Sequence, residues 1–481
     1  MVLLSKSNIP EYLTFSDLYE NIESDEPFEI LDEYYENNIN INSIDELNKY
    51  LKIFDFWLVN KTPNEIYKWI FDNKEKINID LLNDKSMLIN EIKTIINSNN
   101  NICYIAASNG FLNCLIYAHE NGYPWDIKTC NAAASNGQLN CLIYAHENGC
   151  PWNKKTCNTA ANNGHLDCLI YAHKNGCEIN LEDICEYSIN SGHLDCLKYA
   201  VENGCILLEG MCNIAASSGH LDCLKFIHEN GCPWDEETCE NAVRYAHFQC
   251  LKYAHEHGCP WTSHTIDNAV LKGYLKYLKY AHKNGCPWSE ETCAFAARDG
   301  NLKCLKYAHE NGCPWSITTC QNAARAGHLN CLIYAHKNGC PWNEDVCKEC
   351  VFHGKLDCLK YAHENGCPWN KYTCYYAAHF GYLECLKYAH ENGCEWDNNI
   401  CKISTREGKL ECLKYVHENG CELDNEISII ASTYGYLDCL KYAYENKCIC
   451  SYEAIFEIAT RNKHINCIEY INTIIKNKKL I

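Results

Sequence analysis

The sequence lacks most of the features that mark membrane proteins, nucleic-acid binders and enzymes. No stretch approaches the roughly 18 consecutive apolar residues of a membrane span, so none is expected. The opening residues, MVLLSKSNIPEYL, carry a short apolar start without a cleavage-site pattern, which predicts no signal peptide. Basic charge is in deficit. A formal net charge of −20 argues against a nucleic-acid partner, which calls for a basic stripe, and against a polybasic membrane contact. There is no phosphate-cradling loop, no nucleophile elbow and no H-E-x-x-H. Alternation of β-branched residues is also missing from the stretch that recurs along the chain, so strands are not expected there.

Cysteine, by contrast, is abundant at 38 residues, and it recurs with a period. The unit G-H-L-D-C-L-K-F-I-H-E-N-G-C-P-W at Gly219–Trp234 is one copy of many. The cysteine of its L-x-C-L core falls at Cys114, Cys141, Cys168, Cys196, Cys223, Cys250, Cys304, Cys331, Cys358, Cys385, Cys412, Cys439 and Cys467, with Tyr277 in its place once. The spacing is 27, except for 28 at Cys168–Cys196 and at Cys439–Cys467. Fourteen units at a fixed short period predict a solenoid, in which each unit buries its apolar face against its neighbours.

Each unit reads as two antiparallel helices. In the copy at 155–177, Thr156 is positioned as the N-cap of helix A, and Cys157, Ala160 and Ala161 lie on one face at helical spacing. Gly164 ends that helix in the left-handed conformation. Leu166, Cys168, Leu169, Ala172 and His173 give helix B two stripes, as neighbours on both sides require. Gly176 closes helix B. The pair Pro-Trp follows in eight copies, from Pro124-Trp125 to Pro368-Trp369, with Glu395-Trp396 keeping the Trp alone. Proline stops helix B, and the Trp ring is expected to cover the seam between units.

G-H-L-x-x-L-K-x-x-x-E-N-G-C resembles the second helix of ankyrin repeats, and T-C-x-x-A-A-x-x-G resembles their first. The resemblance covers about three quarters of the chain. It is nearest to the short Pro-Trp-containing ankyrin-like repeats of giant DNA viruses of amoebae. The departure is length: 27 residues here against about 33 in ankyrin, with the deficit where ankyrin carries its β-hairpin finger. The fold expected is all-α: a solenoid of about fourteen helix-turn-helix repeats without the finger, spanning 101–464. A helical region would precede it at 1–100, and a polar cap or tail would follow at 465–481. The resemblance implies a non-enzymatic, monomeric interaction scaffold that holds a protein against the concave, helix-A side. A viral chain would meet host proteins in the host cytoplasm.

The cysteines invite a metal reading, with His146, Cys150 and Cys157 as converging candidates. Structural zinc needs four ligands, often on pairs such as C-x-x-C. The short pairs here, Cys347–Cys350 and Cys448–Cys450, have no matching second pair. Tyr277, Ile266 and Ser428 replace cysteine at register positions, which suits packing rather than ligation. The cysteines are therefore expected to be reduced thiols packed as small hydrophobes in the cytoplasm, with no metal, cofactor or catalytic residue. The histidines of Y-A-H-E-N-G are too regular for a catalyst and are expected to bridge adjacent helices.

Positions that vary between units while the frame stays fixed are the candidates for recognition. On helix A these select Arg298, Arg325, Phe352, His353, Tyr375, Tyr376, His379 and Phe380, a strip of the aromatic and Arg types that anchor interfaces. A second function is open at the other end of the chain. Residues Asp45–Phe71 resemble the tail of Skp1-type and BTB-type adaptor domains through Lys61, Thr62, Pro63, Glu65 and Ile66. That resemblance implies a ubiquitin-ligase substrate adaptor docking Skp1 or cullin. A structural virion or assembly protein is the third alternative.

Overall fold

The computed structural model describes residues 101–479. Twenty-eight α-helices and no strand are found among them. The helices expected before residue 100, and the adaptor-like stretch Asp45–Phe71, lie outside the described residues. The chain forms two compact units that divide between Asp235 and Glu236. The first contains α1 (Ile102–Asn109) to α10 (Leu221–Glu229), and the second contains α11 (Glu236–Arg244) to α28 (Ile465–Lys479). In both, odd-numbered helices are the first of a pair and even-numbered helices the second. Within a unit each first helix packs on its own second helix and on the first helix of the next pair. The 464/465 boundary expected for the C-terminal cap falls between the two helices of the last pair, α27 (Tyr452–Arg461) and α28.

The close approach of the first helices follows from small side chains. In α5 (Lys154–Asn162), Cys157, Ala160 and Ala161 are wholly buried, as their spacing predicts. In α6 (Leu166–Lys174), Cys168, Leu169 and Ala172 are buried, while Leu166 and His173 are only half-buried. Gly164 and Gly176 have φ of +78° and +85°, the left-handed turn that lets each helix end in about one residue. The replacements at cysteine register positions, Ile266 and Ser428 on first helices and Tyr277 on a second helix, are likewise buried.

Thr156 is not the N-cap of α5. The chain is extended at Asn153, whose side-chain oxygen accepts the Lys155 N–H at 3.0 Å. The helix therefore starts before Thr156, which is buried in the first turn and donates its hydroxyl to Asn131 Oδ1 of the preceding pair at 2.7 Å. The residue after Trp caps several first helices: Asp126 accepts from Lys128 N–H at 2.8 Å, and Asn370 from Tyr372 N–H at 3.0 Å. A threonine at the cap would have left this buried inter-pair hydrogen bond unmade.

Candidate protein-binding face

The seam between pairs is built from three rings. His146 lies flat on Trp152, centroids 3.7 Å apart, and its Nδ1 meets the Tyr171 hydroxyl of the next pair at 3.0 Å. The same arrangement recurs at His119, Trp125 and Tyr144, and in the second unit at His309, Trp315 and Tyr334. Where the Trp is absent the hydrogen bond persists, as in His173 to Tyr199 at 2.8 Å. These histidines and tryptophans are thus occupied within the frame, bridging pairs as expected.

The thiols of the second helices, such as Cys331 and Cys168, are buried and poorly ionised. Burial pushes Cys331 up to about 11, and burial with the neighbouring Asp167 charge pushes Cys168 up to about 12. A thiol held protonated is a poor nucleophile and a poor metal ligand. Among the described residues no group of three or more His, Cys, Asp or Glu side chains is placed to hold a metal ion. The expectation that every cysteine is unpaired needs one correction. Cys401 and Cys421 lie 6.4 Å apart at Cα, and their sulfurs are paired as a disulfide. The first helix and the link of that unit meet at this point, a closeness the linear spacing did not reveal.

The strip expected from the sequence lies within the second unit, and the structure joins most of it. On α19 (Glu344–Phe352), Phe352 is exposed and contacts Phe380 at 4.4 Å and Tyr376 at 5.7 Å, both on α21 (Lys371–Phe380). His379 meets Phe380 edge-on at 4.6 Å and lies parallel to Tyr375 at 6.1 Å. Its Nδ1 is 3.4 Å from Glu407 Oε1, at an angle that gives no hydrogen bond. Arg325 Nε donates to Glu349 at 2.9 Å, and the same carboxylate faces His353 Nε2 at 3.5 Å, which ties Arg325 to the aromatic end. Arg298 is not brought into contact with them. Its guanidinium is held by Asp299 at 3.3 Å and lies over its own helix's Phe295 ring.

Two rings of this patch escaped the sequence reading. Tyr372 (52% exposed) lies 6.4 Å from Tyr376, and Tyr382 (37% exposed) lies 6.3 Å from Phe380. Both stand outside the positions flanking the helix-A cysteine and preceding the glycine, where variation was sought. Beside the patch is an open cleft of about 460 Å³. It is lined in part by Tyr372, Tyr375, Trp396, Lys402, Ile403 and Arg406. Lys402 is shared between Asp424 at 2.8 Å and Glu426 at 2.6 Å, and Arg406 pairs with Glu407 at 3.2 Å. The cleft therefore offers aromatic faces together with the paired Lys402 and Arg406 and with Lys371, whose ammonium lies 5.7 Å from the Tyr372 ring.

No protein-family model matches the chain, and no curated protein matches its sequence. Among solved structures, the chain is similar to the human ASB11 ankyrin repeat domain. The match has 16% identity, a TM-score of 0.30, and covers 33% of this chain and 84% of that domain. No helix among the described residues is long and apolar enough to cross a membrane.

Proposed function

We infer that the chain is a non-enzymatic scaffold that docks a partner protein on the helix-A face of its second unit. The observation that carries this reading is the continuous aromatic patch of Phe352, Tyr372, Tyr375, Tyr376, Phe380 and Tyr382. Large rings with few rotatable bonds, half-exposed on a rigid frame, supply contact area at low entropic cost and dominate interface energetics. Arg325 and His353, joined through Glu349, would form the polar rim. Arg298 stands outside the contact network and is a peripheral member of the footprint. The seam histidines are occupied in packing between pairs, whereas the rings of the patch stand at the surface. In the ankyrin resemblance this is the concave side. The likeness to viral repeats makes a host cytoplasmic protein the expected partner.

The test uses the full chain and the triple variant Phe352→Ser, Tyr376→Ser, Phe380→Ser as baits in a eukaryotic cytosolic extract. A partner retained by the parent chain and lost by the variant, at equal helicity, supports the reading. Partners held equally by both would place recognition elsewhere.

A further inference from the structure

The cysteines of each unit are not scattered through the core but matched. The cysteine of the first helix and the cysteine that follows the second helix are 20 residues apart, as in Cys130 and Cys150, Cys320 and Cys340, or Cys374 and Cys394. The fold brings each such couple together. The first-helix sulfur approaches the backbone carbonyl of its mate: Cys130 Sγ to Cys150 O at 3.8 Å, Cys293 to Cys313 at 3.9 Å, and Cys374 to Cys394 at 3.5 Å. The mate's own sulfur rests against the carbonyl of the residue that follows Trp, or its equivalent: Cys150 Sγ to Asp126 O at 3.2 Å, and Cys340 Sγ to Ser316 O at 3.2 Å. In the Cys401–Cys421 couple the first contact recurs, Cys401 Sγ to Cys421 O at 3.8 Å, while Cys421 Sγ meets Asn398 O at 3.7 Å, one residue beyond the position used in the other couples. In that unit the sulfurs are already paired, across a Cα–Cα distance of 6.4 Å, within the range a disulfide spans.

We propose that the matched cysteines form a ladder of dithiol sites, each of which closes to an intra-repeat disulfide when the folded chain meets a hydroperoxide. The 20-residue separation of Cys401 and Cys421 is repeated in the other units, where the thiols of a couple such as Cys320 and Cys340 lie in hydrogen-bond contact. The two thiols of a couple also differ in character. Cys340 accepts a hydrogen bond from the Cys320 thiol and is held below the ordinary thiol value by it, while Cys320 is held protonated by that contact and by burial. The link sulfur is then the nucleophile. Its lone pair attacks the terminal oxygen of hydrogen peroxide, the O–O bond breaks, and the departing hydroxide takes a proton to leave as water, giving Cys340 a sulfenic acid. The Cys320 sulfur attacks that sulfur, the S–O bond breaks, and the second hydroxide leaves as water with the Cys320 proton. Two thiols are oxidised by two electrons and one peroxide is reduced to two waters.

The chain carries its own controls. Tyr123 stands opposite Cys103, Ile266 opposite Cys286, and Ser428 opposite Cys448, each at the same separation of 20. Helix-B thiols such as Cys331 and Cys168 lie in a different layer.

The full chain, first reduced, is treated with hydrogen peroxide under native conditions, alkylated in denaturant, and mapped by fragment sequencing without reduction. Cross-links Cys157–Cys177, Cys320–Cys340, Cys347–Cys367 and Cys374–Cys394 are expected, with Cys103, Cys286, Cys331 and Cys168 alkylated. Cys340→Ala should remove the Cys320 cross-link alone and leave Cys320 alkylated. Links of mixed spacing, a Cys320 that finds another mate in that variant, full alkylation at unchanged helicity, or cross-links that appear only after helicity is lost would each overturn the proposal.

Discussion

His336 lies flat against Trp342, ring centroids 3.7 Å apart and planes 13° apart, and presents Nδ1 to the Tyr361 hydroxyl of the next pair at 2.9 Å. One imidazole thus joins the link of its own pair to the helix of the following one. Trp342→Ala removes the stacked face and an edge contact to Tyr361 at 6.3 Å. The lost ring contacts alone are worth about 0.5–1.5 kcal/mol beyond the area exposed. Chemical denaturation should show a loss larger than that, partly restored by Trp342→Phe. A neutral result would mean that the ring only decorates the surface.

The same seam makes stability depend on pH. Burial depresses the His336 imidazolium, with Lys337 acting in the same direction. Burial also depresses His255, partly offset by Glu256. Both rings then accept a proton more readily in the unfolded chain, where the value is about 6.5. As pH falls below that, the unfolded state binds protons that the folded state refuses, so stability drops until the depressed folded values are passed. Melting temperatures between pH 7.5 and 5 should fall less steeply for the His255→Gln, His336→Gln double variant than for the parent. Parallel slopes would remove these two rings as the cause.

Glycines that look alike in the sequence have unlike surroundings. Gly137 and Gly149 both adopt positive φ, +71° and +85°. A Cβ at Gly137 would meet His165 Nδ1 at 2.5 Å, whereas at Gly149 nothing lies within 4 Å. Gly149→Ala should therefore cost about 1–2 kcal/mol, the strain of the left-handed conformation. Gly137→Ala should cost clearly more, since His165 at the head of the second helix of the next pair must also move. Equal losses in urea titrations would show that the histidine yields freely.

On the proposed face, stability and binding should separate. Arg325 and Glu349 form an exposed pair, so Arg325→Ala should change stability by less than about 1 kcal/mol. Phe352→Ser or Phe380→Ser should each weaken partner binding by about 2 kcal/mol or more, roughly 30-fold. Calorimetric titration with the captured partner reads the second effect and thermal melting the first.

Much of the frame was legible from spacing alone. The glycine closures at Gly164 and Gly176 and the packing of Cys157 and Cys168 follow from a 27-residue period and the residue types within it, and the lack of strands among the described residues agrees with the missing β-branched alternation. The cap at Asn153 was missed because Thr156 is the polar residue nearest the apolar stripe, and its real partner, Asn131, lies in the preceding pair. Tyr372 and Tyr382 joined the patch only through helix phase and a turn, neither visible in the columns compared. The match of Cys401 with Cys421 needed the fold, since a separation of 20 residues becomes a contact only when helix B turns back between them.

Recognition on the helix-A face is tested most directly by site-specific photo-cross-linking. A benzophenone amino acid is placed at Tyr376, on the patch, or at Lys360, exposed on the second helix α20 (Leu356–Glu364), and the full chain is irradiated in extract. A discrete protein adduct from position 376, absent from position 360 and abolished by Phe352→Ser with Phe380→Ser, is the predicted result. Adducts of equal yield from both positions, or a partner captured only from position 360, would contradict it.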